Sequence, residues 1–224
     1  MIVSHRWKFI FVKTRKTAGS SIERFLLPHL GPDDVVRGID SRNADGRFNP
    51  LPELASHPDR ANARLTVEQL ARGVRFYQHM PAWRLRNRVG AATWDEYTTF
   101  CFERNPWDKL VSFYYWRNKD PDTRPPFEQW VRSTPNLRAW DQYAIDDQVA
   151  VDQVGRYETL EADLAAVLDR IGLDVPIELP REKSGFRPGD RAEEVAFSPG
   201  LDEWVAEHFA REIALMGYER PTRR

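Results

Sequence analysis

The stretch WKFIFVKTRKTAGSSIERFL, residues 7–26, decides how this chain is read. Its first seven residues, Trp7 to Lys13, alternate and are rich in aromatic and β-branched side chains, the pattern of a buried first strand. Ile22, Phe25 and Leu26 then fall at i, i+3 and i+4, which starts an amphipathic helix that Pro28 stops. Between strand and helix lies a short turn carrying Arg15, Lys16, Gly19 and several hydroxyls. Unpaired backbone N–H groups at a helix start, the positive end of its dipole and a Lys ammonium converge there, so the turn is a ready anion site for phosphate or sulfate. It is not a Walker A loop: that motif places Gly directly before its Lys, whereas here Lys16 precedes Gly19. A Lys and two Ser at an ordinary helix start is the plainer reading of the same residues.

Outward from this unit, the chain alternates strand and helix signals. Residues 31–78 are mostly irregular, with 31–64 rich in Pro, Gly, Asp and Asn, and read as a long excursion rather than a linker between domains. Within it, Thr66 and Gln69 have capping-box spacing ahead of a short helix, and Val74 to His79 reads as a second strand. Pro81 opens a helix through Arg88. TTFCFE, residues 98–103, is the next strand, followed by a helix from Pro106 to Arg117. Gln153 to Tyr157 reads as a further strand, Leu160 to Ile171 as a helix closed by Gly172, and Ser198-Pro199 as the start of one helix running to Gly217. Such alternation predicts a single α/β domain over 1–224, with a mostly parallel central sheet flanked by helices.

The chain has 224 residues, with 33 Lys plus Arg against 34 Asp plus Glu and a net charge of −1. That balance excludes a generally basic nucleic-acid coat or an acidic tail protein. Charge is nonetheless segregated. Residues 1–24 set six cations against Glu23, residues 60–88 set seven arginines against Glu68, and residues 141–174 hold nine carboxylates against Arg156 and Arg170. The apolar runs fall far short of the ~20 residues of a membrane span, and no signal peptide or anchor is expected ahead of the first strand. Cys101 is the single cysteine, so neither an internal disulfide nor a thiolate metal cluster is expected, which fits the cytoplasm.

The loop and its surroundings resemble a known family. FIFVKTRKTAGSSIE, residues 9–23, is similar to the first strand and 5′-phosphosulfate loop of the sulfotransferases that use 3′-phosphoadenosine-5′-phosphosulfate (PAPS), in particular their bacterial and carbohydrate-type branch, with the loop core K-T-[AG]-G-[TS]-S. Arg15 stands where that family usually has Pro. FCFERNPWDKLVSFY, residues 100–114, is similar to its 3′-phosphate motif, with Lys109 where Arg is usual. An Arg at a strand's carboxyl end and a Ser two turns into the next helix can reach one phosphate together, as a fork and a hydroxyl. RYETL, residues 156–160, is similar to the segment whose Tyr lies against the adenine, although Tyr157 reads equally as a core aromatic. HMPA, residues 79–82, resembles the His-containing segment on the acceptor side, and the resemblance implies that the irregular 31–78 excursion lines that side too. Lys183 and Ser184 occupy the place of a basic loop over the 3′-phosphate, or an exposed charged turn.

The resemblance implies a P-loop-NTPase-like sulfotransferase fold and transfer of a sulfuryl group from PAPS to a hydroxyl or amine of a carbohydrate or small-molecule acceptor, leaving adenosine 3′,5′-bisphosphate. It implies Lys16 at the leaving oxygen, with Arg15, Thr17, Ala18, Gly19, Ser20 and Ser21 around the 5′-phosphate. Arg104, Ser112, Tyr157 and Lys183 are implied at the nucleoside end. His79 is the expected general base, with Glu103 and His57 as substitutes, and neither a metal nor a nucleic-acid partner is expected. Two other readings share the strand, loop and helix: a P-loop-like nucleotide or small-molecule kinase, and a non-catalytic nucleotide-binding module. Asp146 and Asp147 face either a cationic acceptor or solvent.

Overall fold

In a computed structural model of the protein, residues 1–37, 75–134, 137–180 and 197–220 are described. The expected helix at Thr66–Gln69, His57, Lys183 and Ser184 lie outside them.

The central sheet has five strands: β1 (Ile2–Ser4), β2 (Phe9–Phe11), β3 (Val35–Val36), β4 (Thr98–Glu103) and β7 (Gln153–Arg156), in the order β3-β1-β2-β4-β7. β2 pairs parallel with β4, Phe11 opposite Phe100, and β4 parallel with β7, Glu103 opposite Arg156. β1 runs antiparallel to both β2 and β3, so four strands share one direction and β1 alone opposes them. The first strand is therefore β1, not the segment at 7–13. Three residues, IVS, are too short to show a period, and the hairpin returns through a turn with Lys8 at φ 50°. A separate two-stranded ribbon joins β5 (Ala144–Ile145) to β6 (Gln148–Val149).

Side-chain alternation along β2 divides the core between two faces. Phe9 and Phe11 point, with Phe100 and Phe102 of β4, toward α1 (Gly19–Leu26) and α7 (Leu160–Ile171), where Ile22, Leu26, Leu164 and Leu168 cover them. Ile10, Val12 and Cys101 face the other way, under Leu85 of α2 (Ala82–Val89) and Trp94 of α3 (Ala91–Glu96). A third cluster joins α4 (Pro106–Arg117), α5 (Phe127–Ser133) and α8 (Pro199–His208) through Leu110, Trp130, Leu201 and Val205.

Two expected elements differ. Residues 75–79 form no strand. Arg75 Nη2 donates to the Arg88 carbonyl at 2.8 Å and Arg88 returns a bond to the Arg75 carbonyl, so this segment is held by side chains to α2 rather than by a sheet ladder. The last helix is two, α8 and α9 (Ala210–Met216), broken at the buried Phe209. The second piece presents Glu212, buried, whose Oε1 accepts from Ala139 N and Trp140 N at 3.1 and 3.2 Å and so caps α6 (Trp140–Tyr143). The carboxyl ends of β2, β4 and β7 meet at one edge of the sheet, where an α/β fold places its ligands.

Candidate anion-binding site

The loop after β2 is stitched to β4. Val12 N donates to Phe100 O at 2.9 Å, and the buried Thr14 hydroxyl donates to Phe102 O. With its one proton committed there, Thr14 Oγ1 accepts from Thr17 Oγ1 at 2.8 Å. This clasp closes the base of the loop and leaves Arg15 exposed and Lys16 half-buried at its tip. Lys16 and Ala18 take left-handed backbone conformations, φ 63° and 56°, and Ala18 O accepts from Ser21 N and Ile22 N as α1 begins. No side chain caps that helix start, so its leading N–H groups face the loop.

The two loop lysines have different tasks. Lys13 continues the alternation of Phe9 and Phe11 and points under α1, where Nζ meets Glu23 Oε2 at 2.5 Å and Ser20 Oγ at 3.3 Å. Glu23 Oε1 also accepts from the Met1 amino group at 2.5 Å. A Cβ on Gly19 would lie 2.8 Å from Lys13 Cγ, so the close passage of this buried chain requires Gly there. Lys16 instead lies at the surface, its ammonium 5.1 Å from the centre of the Trp116 ring.

Arg104, just past the end of β4, gathers Ser112, Asp108 and Tyr157 around its guanidinium. Its Nη1 donates to Ser112 Oγ and to Lys16 O, both at 3.1 Å, and its Nε donates to Asp108 Oδ2 at 2.5 Å. The guanidinium carbon lies 3.9 Å above the Tyr157 ring. Asn105 caps α4, accepting from Trp107 N at 3.2 Å, which fixes the helix that carries Asp108, Ser112 and Trp116. Lys109 is not part of this surface. It is fully buried with Glu103, Nζ to Oε1 at 2.5 Å, and that same oxygen accepts from Arg104 N at 2.9 Å. Burial pushes the Glu103 carboxyl above its usual range, and its complete enclosure keeps it from the site surface.

His79 stands on the other side of the loop, at φ 59°. Its Nδ1 lies 3.0 Å from Lys13 O, and a carbonyl only accepts, so Nδ1 carries the proton and Nε2 keeps a lone pair. Gln142 Nε2 donates to the His79 carbonyl at 3.3 Å. Burial, with nearby Lys13 and Arg15, lowers the His79 pKa to about 3, so the ring is neutral at pH 7.

The fold thus brings together Lys16, Arg104, Ser112 and Tyr157, places His79 against the same loop, and adds Asp108 and Trp116. Asp108 has a sequence signal, the i,i+4 spacing from Arg104, and Trp116 falls one turn after Ser112. Among the described residues, no group of three or more His, Cys, Asp or Glu could hold a metal ion, and no helix is long and apolar enough to cross a membrane.

Comparison with known proteins adds a family. An uncharacterized protein of Archaeoglobus fulgidus is 40% identical over 106 residues, 45% of this chain and 88% of that one. The crystal structure of a sulfotransferase from Alicyclobacillus acidocaldarius aligns over 95% of this chain and 96% of that chain, at a TM-score of 0.41 and 17% identity. A sequence model of the sulfotransferase family matches residues 1–218, nearly the whole length, and the chain belongs to that family.

Proposed function

We propose that the protein transfers a sulfuryl group from PAPS to a hydroxyl or amine of a carbohydrate or small-molecule acceptor. The observation that carries this reading is the Arg104 guanidinium, whose Nη1 joins Ser112 Oγ to the Lys16 carbonyl and so links two anion-binding positions, one at each end of the donor. The residues present fit such a donor: an uncapped helix start and the Lys16 ammonium suit a phosphosulfate, and a buried guanidinium beside a hydroxyl suits a 3′-phosphate.

When bound, PAPS supplies an activated sulfuryl group, whose bond to the bridging oxygen breaks as the acceptor's bond to sulfur forms. Lys16 neutralises charge on the leaving oxygen, and Arg15, exposed beside it, adds a second cation at the loop tip. The N–H groups of Thr17 to Ser20 and the hydroxyls of Ser20 and Ser21 hold the 5′-phosphate, Thr17 by its backbone alone since its hydroxyl is given to Thr14, with Ser20 steadied from below by Lys13. The bond from Nδ1 to Lys13 O leaves the His79 Nε2 lone pair toward the acceptor; with a pKa of about 3 the ring cannot deprotonate a free hydroxyl, so it takes the acceptor proton only as the new bond to sulfur makes that proton acidic, and then passes it to solvent. Tyr157, already stacked on Arg104, borders the adenine end, and Lys183 is assigned to the 3′-phosphate by resemblance alone. The lone buried thiol of Cys101 suits a cytoplasmic setting.

Isothermal calorimetry tests the reading. Adenosine 3′,5′-bisphosphate is expected to bind far more tightly than ADP, and Arg104→Ala to weaken it by about 1.5–3 kcal/mol, the range for a charge-assisted bond. Lys16→Ala is expected to abolish sulfuryl transfer. Equal affinity for the two nucleotides overturns the assignment and favours kinase-like chemistry.

A further inference from the structure

Lys13 is enclosed beneath α1, its side chain 3% exposed and its Nζ 2.5 Å from Glu23 Oε2. Two apolar side chains of the same size would fill that space without the desolvation of two charges, so the ion pair by itself does not account for a lysine there. What the ammonium adds is a second contact, 3.3 Å from Ser20 Oγ. Ser20 stands in the first turn of α1 and is nine-tenths buried, and Gly19 beside it gives the Lys13 chain passage, since a Cβ there would lie 3.0 Å from Lys13 Cε.

The direction of the contact follows from the two groups. An ammonium only donates, so Ser20 Oγ accepts, and a hydroxyl that accepts still has one proton to give. Among the described residues no side chain or carbonyl receives that proton. Thr17 differs, because its hydroxyl is paired with Thr14. Resting on the assignment of this loop to the 5′-phosphate, we propose that Lys13 is the positioning residue for Ser20: by filling a lone pair of the hydroxyl from below, it turns the Ser20 proton toward the 5′-phosphate and strengthens that bond. Glu23 offsets the charge of Lys13, so the effect reaches the ligand through the polarised hydroxyl rather than as one more cation under the loop.

The test reads the contribution of the 5′-phosphate alone, as the ratio of affinities for adenosine 3′,5′-bisphosphate and adenosine 3′-monophosphate by calorimetry. The wild type is compared with Ser20→Ala, with Lys13→Met/Glu23→Met, which removes the buried pair at constant net charge, and with the triple variant; thermal unfolding checks that each is folded. Should the pair variant not fold, Lys13→Gln, uncharged and one bond shorter, takes its place. Ser20→Ala is expected to lower the ratio about ten- to hundred-fold, the range for a hydrogen bond to a charged group. Loss of the pair is expected to lower it about two- to ten-fold, with no further fall on the Ser20→Ala background. A ratio unaltered by Ser20→Ala or by loss of the pair, or a fall from loss of the pair that is equal with and without the Ser20 hydroxyl, overturns the proposal and leaves Lys13 as packing. A wild type that binds the two nucleotides equally overturns the assignment of the loop to a 5′-phosphate, and this proposal with it.

Discussion

His79 shows how much one residue's surroundings decide. A neutral imidazole is maintained by burial, and the hydrogen bond from Nδ1 to Lys13 O selects which nitrogen is basic. The pH consequence has a definite sign. An unfolded His protonates near ~6.5, whereas here the folded value is about 3, so the unfolded state binds the extra proton first and stability falls as pH drops from the first value toward the second. His79→Asn, which tolerates the positive φ, is expected to flatten the dependence of urea-unfolding stability on pH across that window; an unchanged slope would place the titration elsewhere. Lys16, Arg104 and Ser112 were expected together from the resemblance of two motifs, and their approach was legible because each follows a strand end closely. The different fates of Lys13 and Lys16 also follow from pattern: Lys13 keeps the two-residue period of Phe9 and Phe11 and is carried inward. Trp116 was not legible, since its contact is made with another side chain across the loop, and no periodicity encodes that.

At the scale of elements, helices with clear stops matched most closely: α7 ends at Gly172, which takes φ 72°, and α4 begins at Pro106 behind the Asn105 cap. Short pieces failed for physical reasons. β1 is too brief to carry a period, and residues 75–79 look β-like but spend their polar groups outside any sheet, Arg75 and Tyr77 on α2 and His79 on Lys13 and Gln142. The register of β7 rests on a glycine. A Cβ on Gly155 would stand 2.6 Å from Phe102 Cε1 and 2.8 Å from its Cδ1, inside a fully buried ring. Gly155→Ala is expected to destabilise by about 1–3 kcal/mol through overpacking. Gly200→Ala in the first turn of α8, whose nearest neighbour would be Arg132 Nη2 at 3.8 Å, is expected to be neutral or slightly stabilising. Paired thermal melts check both, and equal midpoints for the two variants would refute the packing argument.

For the molecule as a whole, the net charge of −1 hides its arrangement. The cations that matter lie at the strand ends, partly matched by carboxylates such as Asp108 and Glu23, and of the nine carboxylates of 141–174 Glu158 stands at the same edge, accepting from Asn105 N at 2.8 Å. The proposed local anion site is thus compatible with near neutrality of the whole chain. The loop that carries Lys16 and the strand that carries Arg104 are joined at Val12, Thr14 and Lys16 itself. On the proposed donor, adenosine 2′,5′-bisphosphate is expected to bind well below the 3′,5′ isomer in side-by-side calorimetry, and matched affinities would show that the two positions are not coupled. That triple attachment makes the proposed site a gauge: the span between its two proposed anion positions is built into the protein itself, so on this reading a ligand is sorted by the separation of its charges as well as by their number.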